Sequence, residues 1–131
     1  MSDTISITVP YPPRECRANY HPGSRGGRIA QAAATKRYRQ NCWACAREAV
    51  GQSTAPLWSS GMILAHVRRP MRKFPDAANI GSFLKAAIDG LVDAGVYLDD
   101  ARVNVVLASY DVDRDGRERV ELVCMGPKEQ L

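Results

Sequence analysis

Apolar and polar residues alternate at the start of the chain. Ile5, Ile7 and Val9 are separated by Ser6 and Thr8, which predicts a short strand. Pro10-Tyr11-Pro12-Pro13 ends it, because proline fixes its own φ and has no amide donor for a sheet ladder. Residues 14–27 are rich in Gly, Arg and polar groups and read as an irregular loop. From Ile29 to Val50 alanine and long polar side chains dominate, without proline or glycine, which is the composition of a helix. On a 3.6-residue period Tyr38, Cys42, Cys45 and Ala49 line one side of this helix. Lys36, Arg39, Trp43 and Arg47 collect on another.

Gly51 to Ser60 is a turn-rich connection. Met62 to Arg69 is apolar on both faces until its basic end, as expected of an interior strand, and its lone histidine, His66, reads as a hydrogen-bonded core residue. A basic loop bounded by Pro70 and Pro75 follows. Ile80, Phe83, Leu84, Ala87, Ile88, Leu91 and Val92 then recur at the spacing of a helix packed on a core. Asn79 is its expected N-cap, and Gly95 is expected to close it in the left-handed conformation. Lys85 and Asp89 are four apart and lie off the apolar stripe, so both project from one flank. Strands are expected through Val103, Val105 and Leu107 and through Val120, Leu122 and Cys124, joined by a hairpin loop over 111–117. The order β-α-β-α-β-β predicts an α+β fold: one layer of mixed sheet with two main helices, in a single domain spanning 1–131.

Composition narrows the class. In 131 residues, 45% are hydrophobic and 24% charged, the balance of a chain that can bury a core rather than stay disordered. No apolar run approaches a membrane span, and Met1-Ser2-Asp3-Thr4 lacks the layout of a signal peptide, so a cytoplasmic protein without membrane contact is expected. The net charge of +4 and pI near 9.0 favour an anionic partner. Arg68, Arg69, Arg72 and Lys73 form one basic cluster, and Arg25, Arg28, Lys36, Arg37 and Arg39 a second. The face holding Lys36, Arg39 and Trp43 is therefore either a DNA or subunit contact or a solvated face with one exposed aromatic. Cys16, Cys42, Cys45 and Cys124 are expected to be reduced thiols. The Cys42-x-x-Cys45 pair has no second pair or closely spaced histidines, so it reads as core rather than as zinc ligands.

Two acidic patterns carry candidate chemistry. Asp111-x-Asp113-x-Asp115-Gly116 imitates the opening of a calcium loop, but its closing glutamate position is Leu122 and both flanks read as strands. It is a charged turn. The second pattern is Asp76, Asn79, Lys85, Asp99 and Asp100, spread across the amphipathic helix. The helix ends lie roughly 20 Å apart, so Asp76 and the Asp99-Asp100 pair converge only if the flanking segments fold back to one edge of the sheet. Were they to meet, their oxygens would suit Mg²⁺, and Lys85 could stabilise charge at a phosphate under attack. Asp89 and Asp93 read as a solvated helix face.

The segment from Asp76 through Asn79, Lys85, Asp89 and Gly95 to Asp99-Asp100 resembles the signature of the RusA family of junction resolvases. Val9 to Pro13 and Ala34-Thr35-Lys36-Arg37-Tyr38-Arg39 are also similar to that family, the latter to its phage branch. The resemblance implies a homodimer that uses Mg²⁺, with Mn²⁺ as a substitute, to nick four-way or otherwise branched DNA symmetrically. It implies Asp76, Lys85 and Asp100 as catalytic, Asp76, Asp99 and Asp100 as metal ligands, and Asn79 as support. Arg25, Arg28, Lys36, Arg39, Arg68, Arg69, Arg72 and Lys73 are then the candidate DNA contacts. Many members carry Asp-x-Asp-Asn, whereas Ala78 precedes Asn79 here. That departure favours an alternative, a relative that grips branched DNA or a partner protein without cutting. Retention of Asp76, Lys85 and Asp100 favours the enzyme.

Overall fold

Among the residues described, four strands form one mixed sheet: β1 (Thr4–Pro10), β2 (Gly61–Arg69), β3 (Val103–Val112) and β4 (Arg119–Met125). The structure is a computed structural model that describes residues 4–16, 21–51, 56–71 and 80–127. The spatial order is β1-β4-β2-β3; β4 runs antiparallel to both neighbours, and β2 and β3 are parallel. The helices are α1 (Arg25–Val50), α2 (Ile80–Phe83) and α3 (Lys85–Asp93), and short 3-10 turns lie at Arg14–Cys16 and Asp100–Arg102. The α+β class, the mixed sheet and the order of elements are as expected from the sequence.

Strand periodicity explains the core. Ile5, Cys124, Ile63 and Val105 form one cross-strand row, and Ile7, Leu122, Ala65 and Leu107 form the next. Val9, Val120, Val67 and Tyr110 form a third row on the same face. The β1, β4 and β2 members of these rows are buried apart from Ile5, which is partly buried. Tyr110 joins this face because β3 carries one extra residue: Ala65 pairs with Leu107 but His66 with Ser109, so the side-chain alternation is reset around Ala108. The opposite face stays half-exposed, and His66 lies on it rather than in the core, with Nδ1 2.8 Å from Ser109 Oγ.

The expected β3–β4 hairpin does not form. β4 instead inserts between β1 and β2, so the link from β3 must cross the end of β2. Two strand spacings amount to about 10 Å, which residues 113–118 span readily. The crossing is fastened where the Asp113 amide donates to Arg69 O at 2.8 Å. Asp113 also organises the loop. One carboxylate oxygen accepts from the amides of Asp115 (3.3 Å) and Gly116 (2.9 Å), and the other meets Arg119 at 3.0 Å.

Helix α1 begins before Ile29, inside the segment read as loop. Ser24 is its N-cap, with Oγ accepting from the Gly27 amide at 3.0 Å, and this cap offsets part of the poor helix propensity of Gly26 and Gly27. Its buried residues are Tyr38, Cys42 and Ala46; Cys45 is only partly buried, and Ala49 is exposed. The second helix is interrupted at Leu84, which separates α2 from α3, although Leu84 and Ile88 keep the backbone bonds to Ile80 and Leu84. Gly95 follows with φ of 90°, as expected of a left-handed terminator. The expected cap Asn79 lies outside the described residues.

α1 packs along α3, and Gly90 sets how close they come. A Cβ there would stand 2.6 Å from the Arg39 carbonyl oxygen and 3.0 Å from Cys42 Cβ. Arg47 ties the helices at their far ends by donating to Ala94 O at 3.1 Å. Tyr38 anchors α1 to the sheet through a 2.5 Å bond from its hydroxyl to Pro10 O. No helix among the described residues is long and apolar enough to cross a membrane.

Candidate active site

Lys85 is the first residue of α3, and the chain returns past it only after the Gly95 turn. That return passes through Tyr97, which is fully buried and whose one hydroxyl hydrogen is shared between Met125 O (2.8 Å) and Met62 O (3.2 Å) at the end of the sheet. Asp99 then caps the 3-10 turn, its Oδ1 accepting from the Ala101 amide at 3.1 Å, and Asp100 is the first residue inside the turn. Two local signals, a glycine terminator and an aspartate cap, thus fold the chain back along α3. They bring Asp100 to Lys85.

The Lys85 ammonium is shared. It forms one ion pair with Asp100 and a second with Asp89 Oδ1 at 2.8 Å, one turn along α3. Asp100 and then Asp89 hold the lysine above its usual range, while Lys85 holds the Asp100 carboxyl below its own. Lys85 is 60% exposed, so the pair stands at the surface and is open to a large substrate.

Beyond Asp89 the charges continue onto α1. Arg39 grips Asp93 with a two-bonded fork, Nε to Oδ2 at 2.6 Å and Nη2 to Oδ1 at 2.9 Å. Its remaining nitrogen, Nη1, lies 3.8 Å from Asp89 Oδ2. Asp93 is held below the usual carboxylate range by this fork. Asp89 and Asp93 are therefore not a freely solvated face. The i, i+4, i+8 series Lys85-Asp89-Asp93 was the available signal, but the helix that would meet it could not be read from spacing.

The remaining candidates are spread over the molecule. Arg25, Arg28 and Lys36 are exposed on α1. Arg28, Lys36 and Arg39, with Gln31, Ala32 and Thr35, line a shallow hollow of about 410 Å³. A neighbouring hollow of about 400 Å³ is lined by Lys36, Arg39, Gln40, Trp43 and Asp93. Arg68 and Arg69, adjacent in the chain, point to opposite faces of β2. Arg68 is half-exposed between its strand partners Asp111 and Arg119. Arg69 is 7% exposed, donates to Glu118 at 2.5 Å and lies over the Tyr11 ring at 4.1 Å. Asp76, Asn79, Arg72 and Lys73 lie outside the described residues.

Asp99 and Asp100 supply hard oxygen donors, and the Asp100 carboxylate already faces a cation in the form of Lys85. Mg²⁺ needs only one or two carboxylates, because it keeps several waters and takes substrate phosphates as ligands. The donor set fits it. Among the described residues no group of three or more His, Cys, Asp or Glu converges as a metal site. Cys42 is fully buried, with its thiol pushed up to about 12 by burial, and Cys45 is half-buried beside it.

The site is thus a surface ammonium braced by two carboxylates on an α+β scaffold of net charge +4. No protein-family model matches the chain. It is, however, 32% identical over 125 residues to the crossover junction endodeoxyribonuclease RusA of Escherichia coli strain K12, a match spanning 95% of this chain and 98% of that protein. The RusA of Shigella sonnei strain Ss046 gives the same figures. The chain belongs to the RusA family of crossover junction endodeoxyribonucleases.

Proposed function

We propose that this protein is a structure-selective endonuclease that hydrolyses phosphodiesters in four-way and other branched DNA. It acts as a single domain over residues 1–131 in a cytoplasmic homodimer with Mg²⁺. The observation that carries the reading is the meeting of Lys85 with Asp100, two residues of the family signature separated by the whole of α3. Relatives matching nearly the full chain are named crossover junction endodeoxyribonucleases, which supports the substrate and the reaction.

Asp100, with Asp99 and Asp76, is assigned to hold the metal. When bound, Mg²⁺ supplies Lewis acidity toward the scissile phosphate, and Mn²⁺ can take its place. Lys85 has a third ammonium hydrogen beyond those given to Asp89 and Asp100, and it directs this donor at the phosphoryl oxygens as water attacks. One P–O bond forms to water and one breaks to the leaving sugar oxygen. Arg25, Arg28, Lys36 and Arg68, together with Arg72 and Lys73, hold flanking phosphates. Arg69 is committed to Glu118 and Tyr11. A twofold pair of such sites accounts for symmetric nicks.

The second reading, a branched-DNA binder that does not cut, is favoured by Ala78. One assay separates the two. Purified protein is incubated with a labelled four-way junction or linear duplex, in Mg²⁺ or EDTA. Paired nicks on the junction, with metal only, are expected. Binding without cutting in both Mg²⁺ and Mn²⁺ establishes the second reading, and equal cutting of linear duplex removes the junction preference.

A further inference from the structure

Arg39 carries the charge and exposure of a phosphate contact, yet one edge of its guanidinium is bound to Asp93 and the remaining nitrogen lies within ion-pair distance of Asp89. The Nε/Nη2 edge is fixed by Asp93, which leaves Nη1 directed at Asp89 Oδ2. The other oxygen of Asp89 holds Lys85 at 2.8 Å. Asp89 therefore lies between an arginine and a lysine, one cation on each oxygen.

The backbone beneath this chain of charges is tightly placed. Gly90, adjacent to Asp89, admits the Arg39 carbonyl so closely that no side-chain carbon would fit there. Arg39 thus leaves α1 at the point where the two helices touch. Both Arg39 and Lys36, one turn earlier on α1, line the two hollows, but a planar guanidinium fixed by two parallel bonds to Asp93 has little freedom to swing outward.

We propose that Arg39 is a positioning residue for Lys85, acting through Asp89, rather than a contact to DNA. The inference rests on the nuclease reading for its kinetic consequence. Lys85 has two carboxylates to choose from, and Asp100 is the one also assigned to the metal. Asp89 keeps the ammonium in place when Asp100 turns to that task, and Arg39 keeps Asp89 aimed at the lysine. Without Arg39, the carboxylates near the scissile phosphate lose a compensating cation, and Asp89 is left with its bond to Lys85 alone.

Kinetics, binding and the Lys85 ammonium signal test this together. Arg39→Gln is expected to lower kcat on saturating junction by about tenfold to a hundredfold, with junction Kd and its salt dependence unchanged. Lys36→Gln, at a residue assigned to a flanking phosphate, is expected to weaken binding and to reduce the salt slope by about one. Asp89→Asn should lower kcat like Arg39→Gln, and the double variant should be no worse than either single one, because the two act in series. Arg39→Lys should restore part of the rate. In metal-free, DNA-free protein the Lys85 ammonium nitrogen shift, read through the non-exchanging Hε protons, should move in Arg39→Gln. A shallower salt slope with unchanged kcat in Arg39→Gln, or multiplying effects in the double variant, would overturn the proposal. A wild-type protein that cuts nothing refutes the nuclease reading alone; the ammonium signal still decides this one, since indifference to Arg39→Gln sinks it.

Discussion

The side chains of Lys85 and Asp100 meet as an ion pair although the whole of α3 and the Gly95 turn separate them in the chain. The meeting places an ammonium and a candidate metal-binding carboxylate on one exposed ledge. Lys85→Met and Asp100→Asn are each expected to reduce junction cleavage by about 10²–10³, the scale of losing one charge-stabilising group. Junction binding should persist in both. Single-turnover cleavage beside a gel-shift titration checks it, and a loss of binding equal to the loss of rate would contradict the assignment.

The contact between α1 and α3 is set by a missing side chain. Gly90→Ala places a methyl group 2.6 Å from the Arg39 carbonyl oxygen, against backbone that cannot yield without moving a helix. A loss of about 1–3 kcal/mol in urea unfolding is expected, as for overpacked cores. Gly81, in α2, has nothing within 4 Å of the same methyl position. Gly81→Ala should therefore raise stability, by about 0.5–1 kcal/mol, through helix propensity. The opposite signs make the pair its own control.

Arg68 and Arg69 should behave as different kinds of residue. Arg69→Met removes a buried guanidinium from Glu118 and Tyr11 and is expected to cost about 1–3 kcal/mol in stability. Arg68→Met should leave stability within about 0.5 kcal/mol and instead weaken salt-dependent junction binding. Chemical denaturation and binding titrations on both variants test the contrast.

Burial pushes the thiols of Cys42 and Cys124 up to about 12 each. A raised thiol pKa keeps the group protonated, and the protonated form is not the nucleophile, so both should resist a disulfide reagent in native protein at about pH 8. Cys16 and Cys45, only partly buried, should react first. Unfolding in urea should release the other two. Counting modified thiols before and after denaturation shows the order directly.

Much of the sheet was legible because its signals are local. The alternation of Ile5, Ile7 and Val9, of Val103, Val105 and Leu107, and of Val120, Leu122 and Cys124 all reported the strand faces that pack. The apolar run of Met62 to Arg69 reported the interior position of β2. Strand order was another matter. Whether β4 pairs with β3 or inserts beside β1 depends on which long-range pairing buries more surface, and no local pattern records that comparison.

The same division runs through the site. Chain chemistry alone determined the helix stripe, the Gly95 terminator, the Lys85–Asp89 flank and the family signature ending at Asp100, since each depends on residues within a few turns of one another. Only the tertiary structure decided that Arg39 is held by Asp93 and Asp89, that Arg69 faces inward while Arg68 does not, and that Lys85 reaches Asp100. A charge announces itself in sequence, but its partner is chosen by packing, and here the choice was made where Gly90 lets two helices close on each other.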